Sequence, residues 1–349
     1  MLNQINIQVL KVLKSKVNPN EKNSYFCCMN VEKSAIICYY ITELLMIWEV
    51  SILNKKFLII TLILVIAIGL AIWTSTNKKE VVEDDNLKIV TSFYPIYIMT
   101  ANITRDIPDV ELLNMSEANV GCLHDYTIST TDMKKIEKAD IYIQNGLGLE
   151  NFMEKIIQAY PKLKVIDSSI NIFNKIQDED EINPHIWTSI ENYTKQVETI
   201  CQKLCEYDSK NAEAYKANCE NYLQKINQEK QKYESELKKL NGEKVICLNE
   251  GLEYLLKELK MQVTQVETNH EENTMSAETL KNLIEKIKNE NIKIIVVDKD
   301  DNIKNAETLA NETGAKIYKL DSGLTGETND NAYIDKLEAN FLVLDTMKK

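Results

Sequence analysis

Histidine is scarce in this 349-residue chain: there are three, His124, His185 and His270, so any function that needs imidazole draws on three positions. Glycine and proline are few as well, nine and five, which excludes collagen-like and low-complexity architectures. Basic charge is in deficit. With 41 Lys and Arg against 53 Asp and Glu the net charge is −12, which leaves no basic surplus to hold a nucleic acid. No C-x-x-C pair occurs, and the cysteines split into Cys27, Cys28 and Cys38 before the one long apolar run and Cys122, Cys201, Cys205, Cys219 and Cys247 after it. An odd number after the run indicates neither a zinc ribbon nor a complete disulfide framework. Cys201 and Cys205, four apart on a predicted helix, read as packed small hydrophobes, whereas Cys122, two residues before His124, stays open. There is no H-E-x-x-H, no nucleophile elbow and no third clustered His, which speaks against a metallohydrolase.

What is present is ordinary for a folded protein: 44% apolar and 27% charged residues, in a chain long enough for about two domains. The long apolar run covers residues 57–73 (FLIITLILVIAIGLAIW), with Lys55-Lys56 in front and Lys78-Lys79 behind. As a helix it would span roughly 26 Å, near the ~30 Å of a bilayer's hydrocarbon core. A basic pair before an apolar run is the export pattern. No Cys follows the run to carry a lipid, and Thr74-Ser75-Thr76 is a weak cleavage site, so an uncleaved signal anchor over residues 55–76 is expected. Residues 1–54 have no sustained period. They fit a second membrane-associated helix or, the favoured reading, an over-extended reading frame with its start near Met46. Residues 1–79 hold nine Lys and four Glu, so of the net −12 the exported remainder carries −17.

Past an acidic linker (residues 77–86) short apolar runs alternate with amphipathic ones. Strands are expected over 87–91, 110–113, 140–144 and 164–166, with helices over 94–102, 131–139 and 151–159 between them. Ser129 with Asp132 three residues on forms a capping pair for the second helix. The pattern returns with strands over 244–248, 262–267, 292–297 and 316–320 and helices over 252–259, 277–289, 306–313 and 333–347. The result is an α/β protein of two lobes with parallel sheets, 87–189 and 243–349. Residues 190–242 between them contain no Pro and one Gly, Gly242, and carry apolar residues at helical spacing. A long rigid backbone helix, broken near Asp208, is expected to join the lobes and hold a nearly fixed cleft.

In such sheets ligands bind where the carboxyl ends of strands run into helices. His124 (in GCLHDY), His185 (in NPHIW), Asn249-Glu250 and Asp321 all fall there. Two imidazoles with carboxylate oxygens suit a first-row divalent cation such as Zn²⁺ or Mn²⁺. His270, in TNHEENT, reads as part of a solvated loop in preference to a peripheral metal-capturing one, and Trp187 as packing around the cleft.

Several segments taken together resemble a known family. They are IVTSFY at 89–94, His124-Asp125-Tyr126 with the run from Asp132 to Asp140, the NGLGLE turn at 145–150, Pro184-His185-Ile186-Trp187, and ETLA…TGA at 307–315. In combination they resemble the zinc/manganese solute-binding proteins of bacterial ABC importers, solute-binding protein family 9, over about residues 87–347. The resemblance implies a monomeric extracytoplasmic receptor that holds one metal ion between its lobes and delivers it to a membrane permease with its ATPase. It places the family's first two ligands on His124 and His185 and its C-terminal acidic ligand on Asp321. The remaining ligand falls on Asn249, a neutral and weak donor, with Glu250 beside it. A one-residue shift to Glu250 gives the oxygen-richer set that Mn²⁺ accepts, and Glu250 is preferred with Asn249 as the alternative. Residues 115–122 contain no His, so the loop that many zinc-specific members carry is missing and metal identity stays open. Asn249 also keeps a second reading open: a receptor of the same architecture for an organic or chelated ligand, or an adhesin-like surface protein with a degenerate metal site.

Overall fold

A computed structural model of the chain describes residues 40–41, 61–70, 86–117, 126–178, 181–266 and 275–347. They belong to two compact units, Met1–Glu83 and Asp84–Lys349. In the first unit residues 61–70 are helical, and their side chains from Leu62 to Leu70 are largely exposed. Among the described residues no helix is long and apolar enough to cross a membrane; the rest of the expected anchor, and residues 1–54 apart from 40–41, lie outside them.

The second unit carries two four-stranded parallel sheets. In the first lobe β1 (Leu87–Thr91), α1 (Tyr94–Thr104), β2 (Val110–Asn114), α2 (Thr130–Glu137), β3 (Ile141–Gln144), α3 (Glu154–Ala159) and β4 (Lys164–Asp167) give the strand order β2-β1-β3-β4. A two-residue antiparallel pair, β5 (Gln177–Asp178) and β6 (Glu181–Ile182), follows. The linking region is α4 (Ile190–Tyr207) and α5 (Ala212–Leu237), and the second lobe contains β7 (Lys244–Cys247), α6 (Glu253–Glu258), β8 (Gln262–Gln265), α7 (Ala277–Glu290), β9 (Ile294–Asp298), α8 (Lys304–Thr313), β10 (Lys316–Leu320) and α9 (Ala332–Thr346), with order β10-β9-β7-β8.

Local chemistry explains the boundaries. Ser129 caps α2 through a reciprocal capping box: Asp132 N donates to Ser129 Oγ at 3.2 Å and Ser129 N donates to Asp132 Oδ2 at 2.8 Å. Gly314 closes α8 in the left-handed region, φ +75°. The long helix breaks at Asp208, as expected, where φ −131° and ψ +72° leave helical space. Its carboxylate then accepts from Asn211 Nδ2 and Tyr215 Oη at 2.7 and 2.8 Å, which locks the corner between α4 and α5. The helix expected over 151–159 is a 3₁₀ turn at Asn151–Met153 before α3, and that expected over 252–259 begins with a 3₁₀ turn at Glu250–Leu252 before α6.

Strand alternation splits the apolar residues of the second sheet between two clusters: Val245, Cys247, Ile294 and Val296 on one face, Ile246, Leu248, Ile295 and Val297 on the other. The first face belongs to one continuous core that also takes in Ile89 and Ile143 of the first sheet and Tyr193, Val197, Tyr215 and Tyr222 of α4 and α5. The lobes therefore share a core through the linking helices. Each such side chain, fully withdrawn from water, contributes roughly 1.5–3 kcal/mol, so hinge motion would have to break the interior, and the joint is stiff. The free thiols of Cys201, Cys219 and Cys247 are buried there as small hydrophobes.

Candidate metal centre

His185 sits three residues past β6 and ahead of the 3₁₀ turn Ile186–Thr188 that leads into α4, and it is 3% exposed. Its orientation comes from Asn183, whose Oδ1 accepts from His185 N at 3.0 Å and lies 2.9 Å from Nδ1. The Asn183 amide cannot be turned round, because its Nδ2 faces Glu250 O at 3.1 Å and Glu253 Oε2 at 3.4 Å. Nδ1 therefore meets an acceptor and carries the proton, which makes Nε2 the lone-pair nitrogen, the arrangement of a metal-ligating imidazole.

Glu250 opens the 3₁₀ turn after β7, and its Oε1 lies 3.7 Å from His185 Nδ1. Asn249 turns away. Its Oδ1 caps the turn by accepting from Gly251 N, and its Nδ2 donates to Asp301 Oδ2, both at 2.9 Å. Gly251 allows the close approach, since a Cβ there would lie 3.4 Å from His185 Cδ2 and 2.9 Å from Asn249 Oδ1.

Asp321 leaves the end of β10 and lines a cleft of about 290 Å³ together with Tyr94, Trp187, Lys299, Glu327 and Lys336. It connects to the histidine through its neighbour: Ser322 O accepts from Trp187 Nε1 at 3.0 Å, and the Trp187 ring lies 5.1 Å from that of His185. Across the cleft Tyr94 Oη donates to Glu327 O at 2.7 Å, a contact that depends on Gly326, where a Cβ would sit 2.4 Å from Tyr94 Oη.

Burial sets the charges. It pushes the Lys336 ammonium down to about 8, against the pull of Asp321 and Asp298. Burial also opposes the charge on Lys299, but Asp321 outweighs it and the pKa stands above the ordinary lysine value. Desolvation raises Tyr94 to about 12, helped by Asp321 and Glu327, so it stays a neutral donor. Asp298 is raised by burial despite amide bonds from Asp300 and Ser322.

His185 and Glu250 are thus brought together, and Asp321 stands on the adjoining cleft. Among the described residues no three His, Cys, Asp or Glu side chains converge closely enough to hold an ion. His124, Cys122 and His270 lie outside the described residues. Sequence reading missed Asn183, although N-P-H places a carboxamide two residues before the histidine, and it missed Lys299.

Parallel sheets joined by a rigid helix, with a histidine and carboxylates at the strand ends, define a two-lobed receptor. Residues 89–347 match the family model described as zinc-uptake complex component A, periplasmic. The chain is 28% identical to the high-affinity zinc uptake system protein ZnuA of Bacillus subtilis, over 79% of this chain and 91% of that one. It is 26% identical to the metal ABC transporter substrate-binding lipoprotein of Lactococcus lactis, over 80% and 93%. Among solved structures, the SBP FpvC of Pseudomonas aeruginosa in complex with Mn²⁺ superposes with a TM-score of 0.67 at 26% identity, covering 75% of this chain and 98% of that one.

The chain belongs to the zinc-uptake component A family. It is an extracytoplasmic substrate-binding component of a metal ABC importer, a receptor and not an enzyme.

Proposed function

We propose that this receptor captures one Zn²⁺ or Mn²⁺ ion with His124, His185, Glu250 and Asp321 and hands it to a permease driven by its ATPase. The observation that carries the site is the imidazole of His185, held by Asn183 through Nδ1 so that Nε2 is the lone-pair nitrogen, with the Glu250 carboxylate 3.7 Å from Nδ1. Glu250 is favoured over Asn249 because both ends of the Asn249 amide are engaged in the turn. Two imidazoles and two carboxylates leave little selectivity by softness, so choice of metal rests on geometry and supply.

The chain works as a monomer tethered by residues 57–73. In support, residues 61–70 are helical with exposed apolar side chains, and no Cys stands directly after the run, in residues 74–121, to accept a lipid. Carbonate extraction of membranes tests this: an anchored chain stays in the pellet, and a processed one is released.

Elemental analysis of full chain purified in detergent without added metal, followed by competition between Zn²⁺ and Mn²⁺, tests the function. About one equivalent of either ion is expected, with a melting temperature that falls on chelation. A metal-free protein whose melting temperature ignores chelator and added ion would instead favour the organic-ligand or adhesin reading.

A further inference from the structure

Two neighbouring strands of the second sheet end in opposite charges. β9 and β10 are parallel with Asp298 level with Leu320, so Lys299 and Asp321 leave the sheet side by side. Lys299 N donates to Leu320 O at 2.8 Å, and Lys299 Nζ lies 2.9 Å from Asp321 Oδ2. The carboxylate is the fixed partner. Asn340 clamps the Asp321 backbone from both sides, accepting from its N at 2.8 Å and donating to its O at 2.9 Å, and Gly323 N donates to Oδ1 at 2.7 Å. Lys299 is the freer one: its side chain is 42% exposed against 19% for Asp321.

We propose that Lys299 is a resident counter-cation that competes with the incoming metal for Asp321, so that loading is an exchange of an ammonium for a divalent ion. This rests on Asp321 being a metal ligand. A metal ion bound to Oδ2 at about 2.0–2.2 Å would sit beside an ammonium 2.9 Å from the same oxygen, and the two cations repel. The displaced side chain goes to water at little cost, because a part-exposed ion pair is weak. Glu327 and Asp335 line the same cleft and offer it other carboxylates. The exchange lowers net affinity, and the return of Lys299 to Asp321 assists release when the receptor delivers its ion. Lys299 is a positioning residue here, acting on the metal through Asp321.

Titration of the detergent-solubilised full chain with Zn²⁺ and with Mn²⁺ tests this, comparing the native chain with Lys299→Met, Lys299→Gln, Lys299→Arg and Asp321→Asn. Both neutral variants should bind roughly three- to tenfold tighter, whereas Lys299→Arg matches the native chain. The melting temperature of the neutral variants should fall without metal and be unchanged with it. A merely structural lysine would weaken binding when removed. If Asp321→Asn loses affinity while Lys299→Met and Lys299→Gln bind no tighter than native, the exchange is overturned and the ligand role of Asp321 stands. If Asp321→Asn binds like the native chain, that ligand role fails and the exchange with it.

Discussion

One oxygen of Asn183 serves two donors of His185, its backbone N–H at 3.0 Å and its ring Nδ1 at 2.9 Å, and so fixes both the rotation and the tautomer of the imidazole. Asn183→Leu keeps the volume but removes that control. Metal affinity should fall about 10- to 100-fold, as for loss of other partners that orient a ligating histidine. Calorimetric titration checks this, with circular dichroism to show that the fold is retained.

Asn249 and Glu250 separate cap from ligand. Asn249→Ala removes the cap on Gly251 N and the bond to Asp301, and should cost about 1 kcal/mol of stability with metal affinity nearly unchanged. Glu250→Gln should do the reverse, losing most of the affinity at little cost in stability. Denaturant unfolding and titration on both variants read the two effects apart.

Trp187 ties the lobes together by donating to Ser322 O at 3.0 Å, and its ring meets Phe93 edge-on at 5.0 Å. Trp187→Phe keeps much of the packing but leaves a buried carbonyl without its donor. A loss of about 1–3 kcal/mol is expected in denaturant unfolding.

Glu150 supplies the pH dependence. It is buried beneath the turn that precedes it, accepting from Asn145 N at 2.8 Å and Gly146 N at 3.1 Å, and burial raises its pKa from 4.5 to about 7. The folded chain therefore holds this proton more tightly than the unfolded one. The stabilisation is full below about pH 4.5 and is lost as pH rises through about 7. The span corresponds to roughly 3 kcal/mol. Unfolding measured across this range should show stability from this group falling with pH, and Glu150→Gln should flatten the curve.

The sheets, the Asp208 corner and the Ser129 cap were legible because each is written in neighbouring residues: apolar runs, a Ser with an Asp three residues on, a stretch without Pro. Placement of Glu250 and Asp321 at strand ends followed from the α/β alternation, whereas His185 follows the short antiparallel pair β5–β6, which no apolar run announced. What the sequence concealed depends on contacts between distant segments. Asn183 matters through a network reaching Glu250 and Glu253, some seventy residues on. The Lys299–Asp321 pair exists because β9 and β10 lie in register, which no local pattern reveals. Glu150 looked like the end of a turn, and only the packed lobe shows it to be a buried carboxyl.

The central claim is that His185 is a metal ligand of a one-ion receptor. Titrating the full chain and His185→Ala with Zn²⁺ and Mn²⁺ tests it most directly. Close to one equivalent of either ion is expected for the native chain and no measurable binding for a folded His185→Ala. Equal binding by both proteins would contradict it.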